Sequence, residues 1–394
     1  EGHAAVGQRP VGAELAVSSL PPLPLPAGVR ARQLPTANGL VVHLLEAGFD
    51  DPGRPLLLLL HGFPELAYSW RRVMPVLSAA GYHVVAPDQR GYGRTTGWKA
   101  DYDDAADLDA VHLFNLVRDQ LALLHALGRP HVHAVIGHDF GSPVAAWCAL
   151  IRPEVFRAVV LMSAPFAGPP SWQGRITGPE VLDAELAALP LPRRHYQHHY
   201  ATRGAEAEML RAPQGLQAFL RAYYHMKSAD WPHNDPHPLP AMTGEGLAPL
   251  PTYYVMERGQ GMSATVAPHA PSPVQVASCR WLPDDELAVY ASEFARTGLQ
   301  GGLQWYRSAL DPRHRAQLRL FAGRRIEVPG CFIAGRRDWG VHQVPGAFEA
   351  MPTQAFADFR GSHLVDGAGH WVQQEQADAV SARLLEFLGA LPSA

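Results

Sequence analysis

The feature that most constrains the fold is a series of short apolar runs that alternate with helical patterns between Leu40 and Pro165. Several runs are hydrophobic at every position, which is typical of strands that are covered on both faces. We predict five strands, in the segments LVVHLLEAG, PLLLLLHG, YHVVAPD, HAVIGHD and AVVLMSAP. Strands that alternate with helices favour the α/β class, with a mostly parallel sheet flanked by helices.

The sequence changes in character from about Phe166 to Leu310, where Pro, His, Tyr and Trp are frequent and helical patterns dominate. We predict that residues 166–310 form an inserted, mainly helical cap. Strand-like runs return in EVPGCFIAGRRDWG and RGSHLVDGAGHW, and a closing helical pattern follows them. The predicted core therefore consists of residues 29–165 and 311–394. The segment 1–28, rich in proline near its end, is predicted to be an extended N-terminal arm.

Composition limits the classes of partner. The chain has 394 residues, is 47% hydrophobic and carries a formal net charge of -4, so nothing favours a nucleic acid or an anionic membrane as a partner. The longest apolar runs are too short for a membrane span. We expect a small neutral molecule as the substrate, and a monomer or a homodimer. Three widely spaced cysteines indicate neither a zinc site nor a disulfide framework.

The first residues give little information about cellular location. They contain no cationic segment followed by an apolar block, so no secretory signal is visible. A signal that had already been removed would leave the same pattern. The cytoplasm is the expected compartment, and an exported form with a removed signal is the alternative.

Four predicted strand ends carry polar residues that are candidates for a functional site. They are HGFPE (61–65), GHDFGS (137–142), GRRDWG (335–340) and GAGH (367–370). In open parallel sheets, ligands bind outside the carboxyl ends of the strands. We therefore predict that these four segments form one site.

The segment GHDFGS places Asp139 in a turn between a strand and a helix. Gly137 and Gly141 allow the chain to turn sharply there. An aspartate is already ionised at neutral pH, and the helix N-terminus favours its charge. Attack on an ester or amide would give an unstable anhydride, whereas attack on a saturated carbon gives an ordinary ester that water can cleave. We predict that Asp139 is a nucleophile towards saturated carbon.

Cleavage of such an ester requires a base and a site for the oxyanion. His370 is predicted to activate water, and Asp338 to orient and stabilise the imidazolium of His370. Asp366, which is close to His370 in sequence, is the competing candidate for that acid. The backbone N–H groups of Phe63 and Phe140 are predicted to form the oxyanion hole.

Three segments together resemble a known family. HGFP, DQRGYGRT and GHDFG match the HGxP, DxRGxGxS/T and GHDxG patterns of the epoxide hydrolases, which are α/β-hydrolases, and the resemblance extends over nearly all of the chain after about Gly28. In the cap, TGLQGGLQWYR resembles the segment that carries one of the family's two acid tyrosines, which assigns that role to Tyr306. The resemblance implies conversion of an epoxide to a vicinal diol without a metal or an organic cofactor.

The second acid of the cap is expected in RRHYQHHYATRGAEAEM, where the resemblance aligns His199 with the family's tyrosine. Tyr196 and Tyr200 lie close by and are the alternatives. An epoxide oxygen leaves as an alkoxide and needs a hydrogen-bond donor, which a protonated tyrosine or a histidine can supply. Trp305, Tyr200 and Pro64 are predicted to contact the substrate, since aromatic walls suit an apolar ligand.

Two other functions remain as alternatives. Haloalkane dehalogenases use the same ester chemistry, but they hold the halide with N–H donors, commonly an Asn and a Trp at the positions that here are Phe63 and Phe140. A catalytically inactive binding protein is the second alternative, and only the histidine at position 199 favours it. The three histidines at 195, 198 and 199 have no suitably spaced partner, so we expect no metal site.

Overall fold

A computed structural model describes residues 20–173 and 178–392 of the chain. The first nineteen residues of the predicted arm lie outside this description. Residues 20–28 contain no helix or strand.

The strands among the described residues are β1 (Val29–Pro35), β2 (Val41–Ala47), β3 (Leu56–Leu60), β4 (His83–Pro87), β5 (Ala134–His138), β6 (Val159–Met162), β7 (Arg193–His195), β8 (Val255–Glu257), β9 (Gly330–Gly335) and β10 (Phe359–Val365). Eight of them form one sheet in the order β1-β2-β4-β3-β5-β6-β9-β10, and β7 pairs with β8 separately. The pairs β1–β2 and β2–β4 are antiparallel, and the remaining neighbours are parallel.

The predicted strands correspond to β2 to β6, β9 and β10, which confirms the mostly parallel sheet. β1 was not predicted as a strand. It lies at the edge of the sheet and most of its side chains are at least partly exposed, so it lacks the apolar run that marks a buried strand.

The α-helices among the described residues are α1 (Met74–Ala79), α2 (Ala105–Asp109), α3 (Leu113–Ala126), α4 (Gly141–Ile151), α5 (Glu180–Ala187), α6 (Tyr196–Tyr200), α7 (Ala205–Leu210), α8 (Leu216–Lys227), α9 (Gly244–Leu247), α10 (Met262–Val266), α11 (Pro273–Ser278), α12 (Asp284–Thr297), α13 (Gln300–Leu310), α14 (Pro312–Leu318), α15 (Ala347–Ala350), α16 (Val372–Glu375) and α17 (Ala377–Gly389).

Both faces of the sheet are covered by apolar side chains. Leu58 and Leu60 of β3 belong to a cluster that includes side chains of α3 and α4, and Leu57 and Leu59 belong to a second cluster that includes side chains of α1 and α17. This alternation follows from the two-residue period of a strand. It explains why β3 is hydrophobic at every position.

The chain between β6 and β9 contains α5 to α14 and the pair β7–β8. Its α13 approaches the core very closely. A Cβ atom on Gly301 would lie 2.1 Å from the carbonyl oxygen of Gly91, and one on Gly302 would lie 2.7 Å from the ring of Phe63. Glycine at these two positions therefore lets α13 pack directly over the end of β3.

Two further properties concern the whole described chain. None of its helices combines the length and the apolar character that crossing a bilayer requires. The cysteines are free thiols, of which Cys148 and Cys331 are buried and Cys279 is partly exposed.

Glu46 of β2 offers a test of the electrostatics of the sheet. Its carboxylate is buried and accepts a hydrogen bond of 2.7 Å from Arg30, and it lies 3.3 Å from Nε2 of His83. Burial alone would raise the pKa of Glu46, but the bonds to His83 and Arg30 lower it from 4.5 to about 2. Because the folded pKa lies below the unfolded one, the stabilisation is complete above the unfolded value and is lost as the pH falls towards the folded value.

We predict that Glu46→Gln lowers the free energy of unfolding by about 1 to 2 kcal/mol at neutral pH, a modest figure because Arg30 is half exposed and solvent weakens the pair. Urea unfolding at several pH values measures the effect. The difference between the variant and the wild type should shrink as the pH falls below about 4.5. A difference that does not vary with pH would contradict this account.

Candidate active site

The turn after β5 holds Asp139 in a strained conformation. Its φ angle is 51°, in a region that residues with side chains rarely adopt. A Cβ atom on Gly137 would lie 2.0 Å from the carbonyl oxygen of Gly141, and one on Gly141 would lie 2.3 Å from that of Leu60. Glycines at both positions therefore permit the sharp turn that presents the Asp139 carboxylate at the start of α4.

Asp139, His370 and Asp338 meet at the carboxyl ends of the strands. Nε2 of His370 lies 3.1 Å from Oδ2 of Asp139, and Nδ1 lies 3.0 Å from Oδ1 of Asp338. The backbone N–H of Gly340 also donates to Oδ1 of Asp338, at 2.7 Å. Asp139 is 7% exposed, and the other two triad residues are 1% exposed. The structure thus brings together the three residues predicted as nucleophile, base and orienting acid.

The carboxylates of Asp139 and Asp338 are both held in the ionised form. Burial alone would raise the pKa of Asp139, but its hydrogen bond to His370 and the positive charges of His370 and Lys227 keep that pKa well below its usual value. The pKa of Asp338 is lowered in the same way, against burial, by the charge and hydrogen bond of His370. Asp139 therefore needs no base before it attacks.

Asp366, the competing acid, is not part of this group. Its carboxylate is exposed and bonds to the guanidinium of Arg336. Of the two candidates, only Asp338 contacts the imidazole of His370.

The two aspartates provide a matched pair of variants. We predict that Asp338→Asn lowers turnover about a hundredfold, because the amide cannot stabilise the imidazolium that forms when His370 takes a proton. Asp366→Asn should leave turnover within about twofold, since it removes only a surface ion pair. Initial rates of the two variants, compared at equal amounts of folded protein, test this. Equal losses in both would contradict the assignment.

Two backbone amides flank the Asp139 carboxylate. The N–H of Phe63 donates to Oδ1 of Asp139 at 2.9 Å. A Cβ atom on Gly62 would lie 2.3 Å from that Oδ1 and 2.7 Å from the amide nitrogen of Phe140. The amide nitrogens of Phe63 and Phe140, the two predicted oxyanion donors, therefore both lie close to the Asp139 carboxylate. Pro64, which follows, is buried, and its carbonyl accepts a 2.6 Å hydrogen bond from Tyr224.

Tyr306 and Tyr196, two tyrosines of the inserted segment, belong to an aromatic cluster that also contains Phe63 and Phe140. The ring of Tyr306 packs edge-on against Phe63 and Phe140, with centroids 5.5 and 5.2 Å apart, and lies 5.9 Å from the ring of Tyr196. The hydroxyl of Tyr196 donates to Oε1 of Gln343 at 3.1 Å. Burial, reinforced by the charge of Asp139, raises the pKa of both tyrosines well above the usual value. Both hydroxyls therefore keep their protons and can act as donors.

His199, the residue expected as the second donor, bonds to a carboxylate of α7. Nε2 of His199 lies 3.1 Å from Oε1 of Glu208, which also binds the backbone N–H of Met262. In α6, Tyr196 and Tyr200 are four residues apart and share a face, whereas His199 is turned by about 100° from Tyr200. The imidazole therefore bonds towards α7, whereas the ring of Tyr196 contacts that of Tyr306.

The three residues predicted to contact the substrate, Tyr200, Trp305 and Pro64, each lie next to Phe63 or Phe140. Tyr200 packs against Phe63 and Tyr306, with ring centroids 5.4 and 5.1 Å apart, and its hydroxyl donates to that of Tyr223 at 3.2 Å. The indole N–H of Trp305 donates to the carbonyl of Arg90 at 3.1 Å, and its ring packs against that of Phe140. The third, Pro64, lies beside the Phe63 amide.

Comparison with known proteins identifies the family. A family model described as the alpha/beta hydrolase fold matches residues 55–178. Epoxide hydrolase A of Mycobacterium tuberculosis is 33% identical over 383 residues, which cover 92% of this chain and 99% of that protein. The chain belongs to the epoxide hydrolase family. Members of this family are hydrolases that act on ether bonds, which confirms the predicted enzyme class.

Solved structures of epoxide hydrolases agree with this membership. The epoxide hydrolase from an endophytic Streptomyces superposes with a TM-score of 0.73 at 32% identity, over 92% of this chain and 96% of that one. Epoxide hydrolase I of potato (Solanum tuberosum) gives a TM-score of 0.71 at 31% identity, over 92% of this chain and 100% of that one. The α/β-hydrolase fold with an inserted, mainly helical cap is therefore confirmed.

A buried ion pair that we did not predict from the sequence lies beneath the triad of this family member. Oε2 of Glu65 lies 2.7 Å from Nδ1 of His138, and Nε2 of His138 lies 2.7 Å from the carbonyl oxygen of His370. Burial alone would lower the pKa of His138, but the charge of Glu65 raises it. The pair fixes the backbone of His370. Glu65 follows HGFP directly, so the spacing within that motif was the available signal.

The histidines of α6 form ion pairs rather than a metal cluster. Besides the pair between His199 and Glu208, Nδ1 of His198 lies 2.7 Å from Oδ1 of Asp183. Across residues 20–173 and 178–392, no group of three or more His, Cys, Asp or Glu side chains could hold a metal ion.

Proposed function

We propose that this chain converts an apolar epoxide to a vicinal diol through a covalent ester on Asp139. The observation that carries the proposal is the convergence on one buried carboxylate of the imidazole of His370 and the amide of Phe63, 3.1 and 2.9 Å away. The protonated hydroxyls of Tyr306 and Tyr196 belong to the same cluster. A nucleophile, a base, an oxyanion site and two acids are the groups that the two steps require.

In the first step, a carboxylate oxygen of Asp139 attacks one epoxide carbon. The bond between that carbon and the epoxide oxygen breaks, and its electron pair stays on the oxygen. Tyr306 gives that oxygen a proton, and the hydroxyl of Tyr196 turns from Oε1 of Gln343 to donate a second hydrogen bond. Donors aimed at the developing charge stabilise it in a buried site.

In the second step, water cleaves the ester. Once Asp139 is esterified, Nε2 of His370 no longer faces a carboxylate and can accept a proton from water, while Asp338 stabilises the imidazolium. The hydroxide adds to the ester carbonyl, and the N–H groups of Phe63 and Phe140 bind the oxyanion. Collapse breaks the bond between the carbonyl carbon and the ester oxygen, and that oxygen takes the proton of the added hydroxyl. This releases the diol and restores the Asp139 carboxylate, and the proton on His370 replaces the one that the tyrosine gave.

We propose that residues 166–310 act as the cap that closes over the substrate, and that residues 29–165 and 311–394 act as the catalytic core. The rings of Tyr200 and Trp305, with Pro64, supply apolar walls on either side of the tyrosine hydroxyls. An apolar epoxide suits such walls. Water is the only co-reactant that the two steps consume.

The same observations favour an epoxide over a haloalkane. A departing halide needs N–H donors, but the side chains of Phe63 and Phe140 have none, and the indole N–H of Trp305 is bonded to a backbone carbonyl. A departing alkoxide needs a proton, and two tyrosines can supply it.

Incubation of the purified protein with styrene oxide, and separately with 1-bromobutane, tests the proposal. We expect chromatography to show styrene diol with the wild type and none above background with Asp139→Asn. Release of bromide without any diol formation would support a dehalogenase instead. Diol formation that survives in Asp139→Asn would contradict the ester mechanism.

A further inference from the structure

The side chain of Lys227 is a buried cation that the two steps above do not use. Lys227 is the last residue of α8 and is 2% exposed. Within the described ranges its ammonium forms no salt bridge, and its hydrogen bond goes to the hydroxyl of Tyr223, at 3.5 Å. An ammonium group is costly to bury without compensation, so the surroundings must favour the charge in another way.

Aromatic rings surround this ammonium. Nζ lies within 6 Å of four ring centroids, a distance at which the ring face attracts a cation. The rings and distances are Tyr254 at 4.9 Å, Tyr223 at 5.3 Å, Trp371 at 5.4 Å and Tyr253 at 5.9 Å. A carboxylate would neutralise the lysine, whereas neutral rings stabilise the ammonium and leave its full charge to act on nearby groups.

Lys227 packs against the loop that carries the catalytic histidine. The backbone N–H of His370 donates to the carbonyl of Lys227 at 2.9 Å. The ring of Trp371 contacts both groups, since its centroid is 4.6 Å from that of the His370 ring and 5.4 Å from Nζ of Lys227. A Cβ atom on Gly369 would lie 2.6 Å from the carbonyl oxygen of Lys227. Glycine in GAGH thus lets the histidine loop pack against the end of α8.

The charged groups around the His370 ring explain what the cation can do. In the free enzyme the ring faces the carboxylates of Asp139 and Asp338, at 3.1 and 3.0 Å, and the ring of His138, whose centroid is 5.1 Å away. The carboxyl group of Glu375 accepts from the backbone N–H groups of Gly369 and Trp371, on either side of His370, and burial raises its pKa to about 8. The charge of Lys227 reaches Asp139, since it helps to lower the pKa of that carboxyl. Esterification removes the negative charge of Asp139. The positive charge of Lys227 is then no longer balanced by the carboxylate of Asp139.

We propose that Lys227 is a positioning residue for the second step, whose uncompensated charge keeps the His370 imidazole unprotonated while Asp139 is esterified. The proposal rests on the ester mechanism proposed above. A nearby positive charge makes proton uptake from solvent by the imidazole less favourable. Nε2 therefore stays free to take a proton from the attacking water. Without the cation, proton uptake from solvent would compete more strongly with the role of the ring as a base.

The test compares Lys227→Met, which keeps an unbranched apolar chain and loses the charge, with Lys227→Arg, which keeps the charge. Single-turnover reactions with styrene oxide, quenched at successive times and analysed by intact-protein mass spectrometry, give the rates of ester formation and ester hydrolysis at each pH. We expect ester hydrolysis in Lys227→Met to be about tenfold slower than in the wild type near pH 6 and within about twofold near pH 8.5. Lys227→Arg should follow the wild-type profile.

A Lys227→Met profile that parallels the wild type, or a Lys227→Arg profile displaced as far as that of the methionine variant, would overturn the proposal. Loss of packing alone would slow hydrolysis equally at all pH values, which also contradicts it. If thermal unfolding shows that Lys227→Met does not fold, Lys227→Gln replaces it with the same expectation. Failure of the wild type itself to form an ester would overturn the ester mechanism as well, and is visible without any variant.

Discussion

Replacing Asp139 by alanine is expected to lower kcat for epoxide hydrolysis on the order of 10⁵-fold, since nucleophiles of this kind contribute effects of that size. No ester can form on the alanine side chain. The wild type keeps a strained φ of 51° at Asp139, although this strain lowers the stability of its fold. The comparison of diol formation by the wild type and Asp139→Ala measures the effect.

Ser142→Ala is the matched control on the same turn. The hydroxyl of Ser142 donates to the carbonyl of Ala164 at 2.6 Å, so it is not available as a nucleophile. We expect this variant to keep most of the wild-type rate. More than about 1% residual turnover in Asp139→Ala, or a loss in Ser142→Ala of similar size, would contradict the role of Asp139.

Removal of both cap hydroxyls should have the second largest effect. We predict that Tyr196→Phe or Tyr306→Phe alone lowers the rate of ester formation about tenfold to a hundredfold, and that the double variant loses about 10³- to 10⁴-fold. With one hydroxyl left, the oxygen still has a donor; with neither, the alkoxide must form unprotonated in a buried site. Rapid-quench measurement of ester formation separates this loss from any change in hydrolysis.

His199→Gln is the control for the tyrosines. The imidazole of His199 is engaged by Glu208 through Nε2, so this variant should form the ester within about threefold of the wild-type rate, apart from any loss of stability. A loss in His199→Gln as large as that in Tyr196→Phe would return the second donor role to the histidine. A double phenylalanine variant that still forms the ester at the wild-type rate would contradict proton donation by the cap.

The core of this fold could be predicted from the sequence because local patterns encode it. Strands covered on both faces appear as uninterrupted apolar runs, as in β3, and the polar residues at their ends mark the site. Asp139 and His370 were recognisable because glycines flank them in short segments whose geometry is local. The edge strand β1 has no such signal, since most of its residues face solvent at least in part.

The cap was harder to predict because its site residues depend on helix starts and on packing between distant segments. Whether Tyr196 or His199 faces Tyr306 depends on the direction of each side chain, which is set by where α6 begins after β7. The partners of Lys227 come from α8, from residues 253 and 254 and from Trp371. No pattern within one segment could show that these rings surround a lysine.

The central claim is the ester on Asp139, and intact-protein mass spectrometry of His370→Gln tests it most directly. This variant keeps the nucleophile and both tyrosines but lacks the base for the second step, so mixing with styrene oxide should give a stable mass increase equal to one intact epoxide. The adduct should be absent from the double variant Asp139→Asn/His370→Gln. A wild type that forms the diol while His370→Gln shows no adduct at any time would contradict a covalent intermediate.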